Sequence, residues 1–161
     1  MITIDTSQDP VVTIDRLATG QLKSLIRLLV DSEKGFNEAA HNILDADLAG
    51  LFQSLAIARA EMVVELQYLI QDQGDVDSDG GTMAGIAHRI WLDLRSVIRS
   101  QDSDAILAEA ERGENYIKLE YERAMRMVWG DHIHSLLSLH FLTVQATRDQ
   151  IGNLRDFLGA I

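Results

Sequence analysis

Acidic side chains at alternate positions give the stretch DVDSDGG, residues 75 to 81, the pattern of a calcium-binding loop. Four residues match the first half of an EF-hand loop, with oxygen ligands at its first, third and fifth positions and glycine at its sixth: Asp75, Asp77, Asp79 and Gly80. The twelfth position should hold a bidentate Glu, and here it is Ile86, whose side chain has no oxygen. We therefore favour a solvated acidic linker, with Thr82 capping the next helix, over a calcium site.

The segment EAAH contains a Glu-x-x-His pair, a ligand motif of di-iron helical bundles. The spacing of Glu38 and His41 points both side chains to one side of a helix. A complete di-iron set needs a second such pair and two further glutamates from other helices. The second pair is missing, and Glu38 and His41 lie off the apolar stripe of their helix. We interpret them as an exposed surface pair.

Polar residues also interrupt the apolar stripes of the long helices. Glu114 falls between Ala110 and Ile117, where a core residue is expected. Helical spacing predicts a polar layer at the middle of the bundle, with Thr147 as the alternative to its last member: Asp31, Glu33, Arg59, Glu114 and Arg148. Because a buried carboxylate needs a partner and arginine can supply one, we interpret this layer as an ion-pair network.

The alternative for the same region is a metal site in the bundle core. Carboxylates are the ligands of iron and manganese in ferritin-like proteins, and four are candidates here: Glu33, Glu61, Glu111 and Glu114. Arginines at the same level oppose a bound cation by charge repulsion, so we favour the ion-pair network. His140 lies on a core face about five residues from the level of Glu114, and we interpret it as a hydrogen-bonded core histidine.

The elements that must position these side chains are helices, because apolar residues recur at spacings of three and four. The pattern predicts four long helices and a shorter one, which is the third. The first three run from Thr19 to about Leu44, from Asp45 to near Gly74 and from Thr82 to near Ser100. The last two begin at Asp102 or Ser103 and at about Gly130. A short helix between two helical hairpins is typical of a crossover connection. The sequence thus predicts an all-α fold, a ferritin-like four-helix bundle with a short extra crossover helix.

The front of the chain has a different pattern. Pro10, the only proline, lies among alternating apolar residues, which predicts an N-terminal tail or short extended segment over residues 1–17. Residues 18–161 then form one helical bundle domain.

Composition narrows the classes of function. The 161 residues include 25 acidic and 14 Lys or Arg side chains, and the net charge of -11 disfavours nucleic acid and anionic membranes as partners. The absence of cysteine excludes disulfides and thiolate metal sites. The sequence shows neither a membrane span nor a signal-peptide pattern, so we expect a cytoplasmic protein.

Several segments resemble a bacterial family of uncharacterised four-helix-bundle proteins with a ferritin-like fold. The resemblance extends over about residues 18 to 157 and rests on LVDSEKGFNEAA, on ARAEMVVELQYLIQDQGDVDSDGGTMAGIAHRIWLDLRSVI and on DSDAILAEAERGENYIKLEYERAM. It implies the fold and a ferritin-like ancestry, and the family has no established reaction. Members often have His-Asp where this chain has Arg148-Asp149. A metal role that depends on that histidine is therefore not implied for this chain.

No nucleophile with a base beside it appears, and Gly80-Gly81 lacks the lysine and spacing of a phosphate-binding loop. We therefore expect a non-enzymatic, stress-related or scaffolding protein that forms homo-oligomers, with no small-molecule substrate evident. Candidate interface residues are Trp91, Trp129, Met125 and Met127. The alternative function is binding of iron or manganese by core carboxylates.

Overall fold

The computed structural model describes the backbone of residues 10–71 and 81–161 and the side chains of residues 16–70 and 88–161. These residues form five helices and no strand: α1 (Pro10–Asn42), α2 (Ala46–Gln71), α3 (Gly81–Ile98), α4 (Ser103–Met125) and α5 (Asp131–Gly159). The all-α fold class is therefore confirmed for this part of the chain. None of the described helices is both long enough and apolar enough to cross a membrane.

Capping side chains explain where α2 and α4 begin. The carboxylate of Asp45 accepts a hydrogen bond from the backbone N–H of Leu48 at 2.9 Å. Before α4, Asp102 accepts from the N–H groups of Asp104 and Ala105. In both cases an acidic side chain satisfies donors that a first helical turn leaves unpaired. Gly130 has an extended backbone and directly precedes α5.

Two helix starts differ from the sequence-based boundaries. Helix α1 begins at Pro10, so residues 10–17 are helical instead of extended, and Thr19 is a buried residue inside the helix. Proline suits the first turn of a helix, because the N–H that it lacks would have no partner there. Helix α3 begins at Gly81, one residue before Thr82, which was expected to be its cap. Residues 1–9 and the acidic stretch from Asp75 to Gly80, which resembles the first half of an EF-hand loop, lie outside the described residues.

The helices pack as two antiparallel hairpins. Leu22 and Leu25, early in α1, share a hydrophobic cluster with Leu66, late in α2, and the α1–α2 link is short. Helices α4 and α5 pair in the same way, since Leu107 near the start of α4 packs in one cluster with Ile151. Helix α3 lies against α1 and α4, whereas α2 and α5 make only slight contact.

The core consists of two hydrophobic clusters, one towards each end of the hairpins. The first contains Met62 of α2 and Ile117 of α4. The second contains Ala56 of α2 and Ala110 of α4. Helices α2 and α4 therefore each have an interval between the two clusters, and Arg59 and Glu114 lie in these intervals.

Candidate functional site

A buried ion pair joins α2 to α4 between the two hydrophobic clusters. The guanidinium of Arg59 donates to Oε2 of Glu114, and both side chains are 0% exposed. Arg59 also donates to the sulfur of Met62 at 3.2 Å and lies over the ring of Phe36, 5.9 Å from its centroid. Helix α2 thus presents its cation to a fully buried carboxylate of α4.

Each partner of this pair retains one atom without a hydrogen bond. Oε1 of Glu114 and Nε of Arg59 are buried and have no hydrogen-bond partner within the described structure. Burial raises the pKa of the Glu114 carboxyl, and the attraction of Arg59 lowers it by less. An acceptor oxygen is therefore left inside the protein where a donor would be favoured.

The other residues of the predicted polar layer lie elsewhere. Nε of Arg148 donates to Asn115 at 2.7 Å, and this guanidinium lies 3.1 Å from Asp149 and 3.9 Å from Glu111. Thr147, the alternative to Arg148, is buried, and its hydroxyl donates to the carbonyl of Thr143. Asp31 and Glu33 are half-buried on α1. The structure therefore brings Arg59 and Glu114 together and leaves Arg148 at the α4–α5 edge.

The four metal-ligand candidates do not converge. Glu61 is exposed on α2, Glu33 is half-buried on α1, and Glu111 lies 3.6 Å from the guanidinium of Arg155. Within residues 16–70 and 88–161 there is no group of three or more His, Asp or Glu side chains placed to hold a metal ion. The two residues of the Glu-x-x-His segment have different partners. Glu38 lies 3.2 Å from Arg95, and His41 forms a hydrogen bond with the carbonyl of Asn37.

His140 is fully engaged in a chain of hydrogen bonds. Its Nδ1 lies 3.0 Å from the hydroxyl of buried Tyr121, and its Nε2 lies 2.6 Å from a carboxylate oxygen of half-exposed Glu65. Burial lowers the pKa of His140, whereas the bond to Glu65 raises it by less. The position of His140 on a core face predicted a hydrogen-bonded core histidine. Helical spacing did not identify its partners, Tyr121 and Glu65.

A cleft opens beside the ion pair, between α1, α3 and α4. It has a volume of about 40 Å³ and is lined mainly by apolar side chains, with Asp31, Glu109 and Glu114 as its charged residues. Burial also raises the pKa of Asp31, although nearby Lys34 and His88 lower it. Glycines help to form this region: a Cβ added at Gly35 would lie 2.8 Å from the ring of Trp91.

The residues proposed as an interface are largely built into the core. Trp91 packs against the cluster at the α1–α2 turn, and Trp129 and Met125 pack against the other cluster. The indole N–H of Trp129 donates to the carbonyl of Ala124 at 2.6 Å. Large apolar side chains are instead exposed on the outer faces of α2 and α5.

These features define an all-helical protein whose two hairpins are joined through a buried ion pair. The model of a protein family described as a domain of unknown function (DUF2383) matches residues 18–127. The chain belongs to this family, which confirms the resemblance to an uncharacterised family. No curated protein matches the chain.

Proposed function

We propose that this protein is a ferritin-like four-helix bundle that acts by self-association, as a scaffold, without catalysing a reaction. The helix directions support the ferritin-like part of the proposal. Helices α2 and α4 run parallel, because Met62 and Ile117 share one cluster and Ala56 and Ala110 share the other. Parallel neighbours need a connection that returns along the bundle, and α3 lies in that connection.

The centre of the core supports a structural role for its carboxylate. The guanidinium of Arg59 contacts Glu114 and opposes any cation brought to the same oxygen atoms. Protein incubated with Fe(II) or Mn(II) and then desalted is therefore expected to retain little metal in elemental analysis. Near-stoichiometric iron or manganese, lost in Glu114→Gln, would contradict this and favour the metal-binding alternative.

The observation that carries the self-association proposal is an apolar stripe on the outer face of α2. Ile57, Val64 and Tyr68 are 54%, 64% and 71% exposed, and they recur with Glu61 at intervals of four, three and four residues. This is the spacing by which one helix packs along another. A stripe of this kind on a helix already packed on its other side indicates a contact with a further molecule.

A second copy of the chain offers a complementary surface on α3. Arg89 and Arg99 are exposed and form no ion pair with any described residue, although the chain as a whole has a net charge of -11. Between them, Leu92 is 47% exposed and lines a shallow depression with Arg95 and Arg99. An apolar centre flanked by arginines matches the α2 stripe, whose one charged member is Glu61.

Sedimentation velocity tests the α2 stripe directly. We expect the wild-type protein to form oligomers and Val64→Ser/Tyr68→Ser to be monomeric with unchanged helix content. The matched control is Leu139→Ser/Leu142→Ser, which removes two side chains that are 59% and 60% exposed on α5. A monomeric wild-type protein, or equal loss of association in the α5 control, would overturn the proposal.

Charge reversal tests whether α3 is the partner of this stripe. Arg89→Glu/Arg99→Glu and Glu61→Lys are each expected to weaken association when alone. Their mixture is expected to associate again, because the reversed α3 of one chain meets the reversed α2 of the other. Failure of the mixture to associate would exclude the α2–α3 pairing, although self-association through α2 alone would still stand.

A further inference from the structure

The open surface of the cleft between α1, α3 and α4 is almost entirely apolar. Glu114 belongs to its lining, but this side chain is 0% exposed, so its carboxylate is not open to the cleft. Asp31 and Glu109, the other charged residues of the lining, also contribute almost no polar surface. The cleft therefore offers a bound molecule almost no hydrogen-bonding group.

The charges around the cleft disfavour ionic ligands of either sign. The guanidinium of Arg59 contacts Glu114 and lies over the ring of Phe36, so it opposes a cation and already occupies one face of that ring. An anion is repelled by the carboxylates of Asp31 and Glu109. Ordered water is disfavoured as well, because a buried water needs about two to four polar partners. The chemistry that remains is that of an uncharged apolar molecule.

The walls and the volume define the size of that molecule. Phe36 of α1, Trp91 of α3 and Ile117 of α4 contribute apolar surface from three directions. A volume of about 40 Å³ accommodates about three water-sized groups. Transfer of a hydrocarbon of this size from water to these walls is favourable, because its apolar surface leaves water without the loss of any hydrogen bond.

Glycine keeps part of this space open. Gly113 lines the cleft from α4, and a Cβ added there would lie 3.3 Å from Cγ2 of Ile90, a lining residue of α3. An alanine at this position would place a methyl group against the α3 wall and narrow the cleft. The cleft can therefore be reduced by a single carbon atom without a change in its charge.

We propose that this cleft binds a small, uncharged hydrocarbon of about three carbon atoms, a short alkane or alkene. The site is separate from the surface proposed for self-association. Helix α3 lines the cleft with Ile90, Trp91 and Leu94, whereas its other face carries the residues proposed to meet a second copy: Arg89, Leu92 and Arg99. Binding is therefore expected whether or not the chain associates.

The intrinsic fluorescence of Trp91 reports on this cleft. The chain has two tryptophans, so Trp129→Phe leaves Trp91 as the only one. In this variant, cyclopropane at increasing partial pressure is expected to give a saturable change in Trp91 emission, with a Kd of about 1 mM because so few atoms are buried. Cyclopropylammonium chloride has the same ring with a charge attached. At equal ionic strength it is expected to bind at least about tenfold more weakly, because its ammonium group would lose hydration without gaining a partner.

Substitutions in the same background locate the binding site. Gly113→Ala is expected to weaken cyclopropane binding by about tenfold, since its methyl group occupies about one of the three water-sized groups of space. Ala110→Val adds two carbon atoms to another lining residue of α4 and should have at least the same effect. Gly50→Ala is the matched control, because an added Cβ there has nothing within 4 Å and Gly50 does not line the cleft. Circular dichroism establishes that each variant is folded, and Ala110→Val decides the result if Gly113→Ala does not fold.

Three outcomes would overturn the proposal. The first is the absence of a saturable Trp91 response to cyclopropane, which would show that the cleft is only a gap in packing. The second is equal affinity for cyclopropane and cyclopropylammonium, which would contradict an apolar site. The third is an affinity in folded Ala110→Val that equals the affinity in Gly50→Ala, which would place the bound molecule elsewhere.

Discussion

The side-chain oxygen of Gln101 accepts a hydrogen bond from the backbone N–H of Leu44 at 2.9 Å, across 57 residues of sequence. The amide nitrogen of the same side chain donates to the carbonyls of Asn42 and Ile98 at 2.9 and 3.0 Å. Gln101, which lies between α3 and α4, therefore satisfies backbone groups at the end of α1, in the α1–α2 link and at the end of α3. Gln101 does this with a φ of 54°, in the left-handed region that favours glycine.

Two substitutions at Gln101 separate its hydrogen bonds from its backbone conformation. Gln101→Ala removes the bonds and keeps a Cβ in the left-handed region, so we expect a loss of about 1–3 kcal/mol in the free energy of unfolding. Gln101→Gly removes the same bonds and tolerates the positive φ, so its loss should be smaller by about 1 kcal/mol. Urea unfolding followed by circular dichroism measures both, and equal stability of the variants would contradict a left-handed backbone.

Breaking the buried ion pair from one side should be costly. Arg59→Met leaves the carboxylate of Glu114 buried without a cation, and we expect a loss of about 3–5 kcal/mol in the free energy of unfolding. Arg59→Met/Glu114→Leu buries no charge and should recover most of that loss. A double-mutant cycle in urea gives the coupling energy, and additive effects of the two single substitutions would show that the side chains do not interact.

The lowered pKa of His140 predicts a specific pH dependence. Between the lowered pKa of the folded state and the ordinary value near 6.5, the unfolded chain binds more protons, so protonation favours unfolding. Stability should therefore fall as the pH decreases below about 6.5, by at most about 1.4 kcal/mol per pH unit from this one group. The groups facing His140 are Tyr121, Glu65 and Arg59, and all three are retained in His140→Gln.

Unfolding of wild-type protein and His140→Gln at several pH values between 5 and 8 measures that contribution, which we expect to be absent in the variant. His134→Gln provides the control, because His134 is exposed at the start of α5. Parallel pH profiles for wild-type protein and His140→Gln would show that burial does not disfavour the charged imidazole.

Two helical glycines should respond to alanine in opposite directions. A Cβ at Gly35 would lie 2.8 Å from the ring of Trp91, so Gly35→Ala must displace the indole and is expected to cost about 1–3 kcal/mol. Gly50 has nothing within 4 Å of an added Cβ, and Gly50→Ala should stabilise the protein by about 0.4–1 kcal/mol. Thermal unfolding gives both signs, and stabilisation by Gly35→Ala would mean that Trp91 does not pack against that backbone.

Sequence patterns identified most helix boundaries because the responsible side chains act locally. Asp45 and Asp102 cap helices within three residues of their own positions, so both starts could be predicted. The predicted start of α1 at Thr19 was wrong. The alternating apolar residues around Pro10 favoured an extended segment, whereas this proline begins the helix. The burial of Arg59 and Glu114 could also be predicted from local pattern, because each residue interrupts the apolar stripe of its own helix.

The remaining contacts depend on rotations and distances that a single sequence does not specify. Thr147 and Arg148 differ by one residue, yet a turn of about 100° places the threonine in the core and the arginine at the α4–α5 edge. The bonds of Gln101 to Leu44 and of His140 to Glu65 join distant parts of the chain. Their formation requires the packed arrangement of all the helices, so no local pattern indicates them.

The division of the core into two hydrophobic clusters affects how the molecule loses structure. Apolar contacts within each cluster are cooperative, but the two clusters meet at a layer that contains Arg59 and Glu114 instead of continuous apolar packing. One end of the hairpins can therefore open while the other remains packed, with different free energies of opening at the two ends. Native-state fluctuations are then expected to occur in two cooperative units along the same helices, with their boundary inside α1, α2, α4 and α5 and not at the ends of these helices.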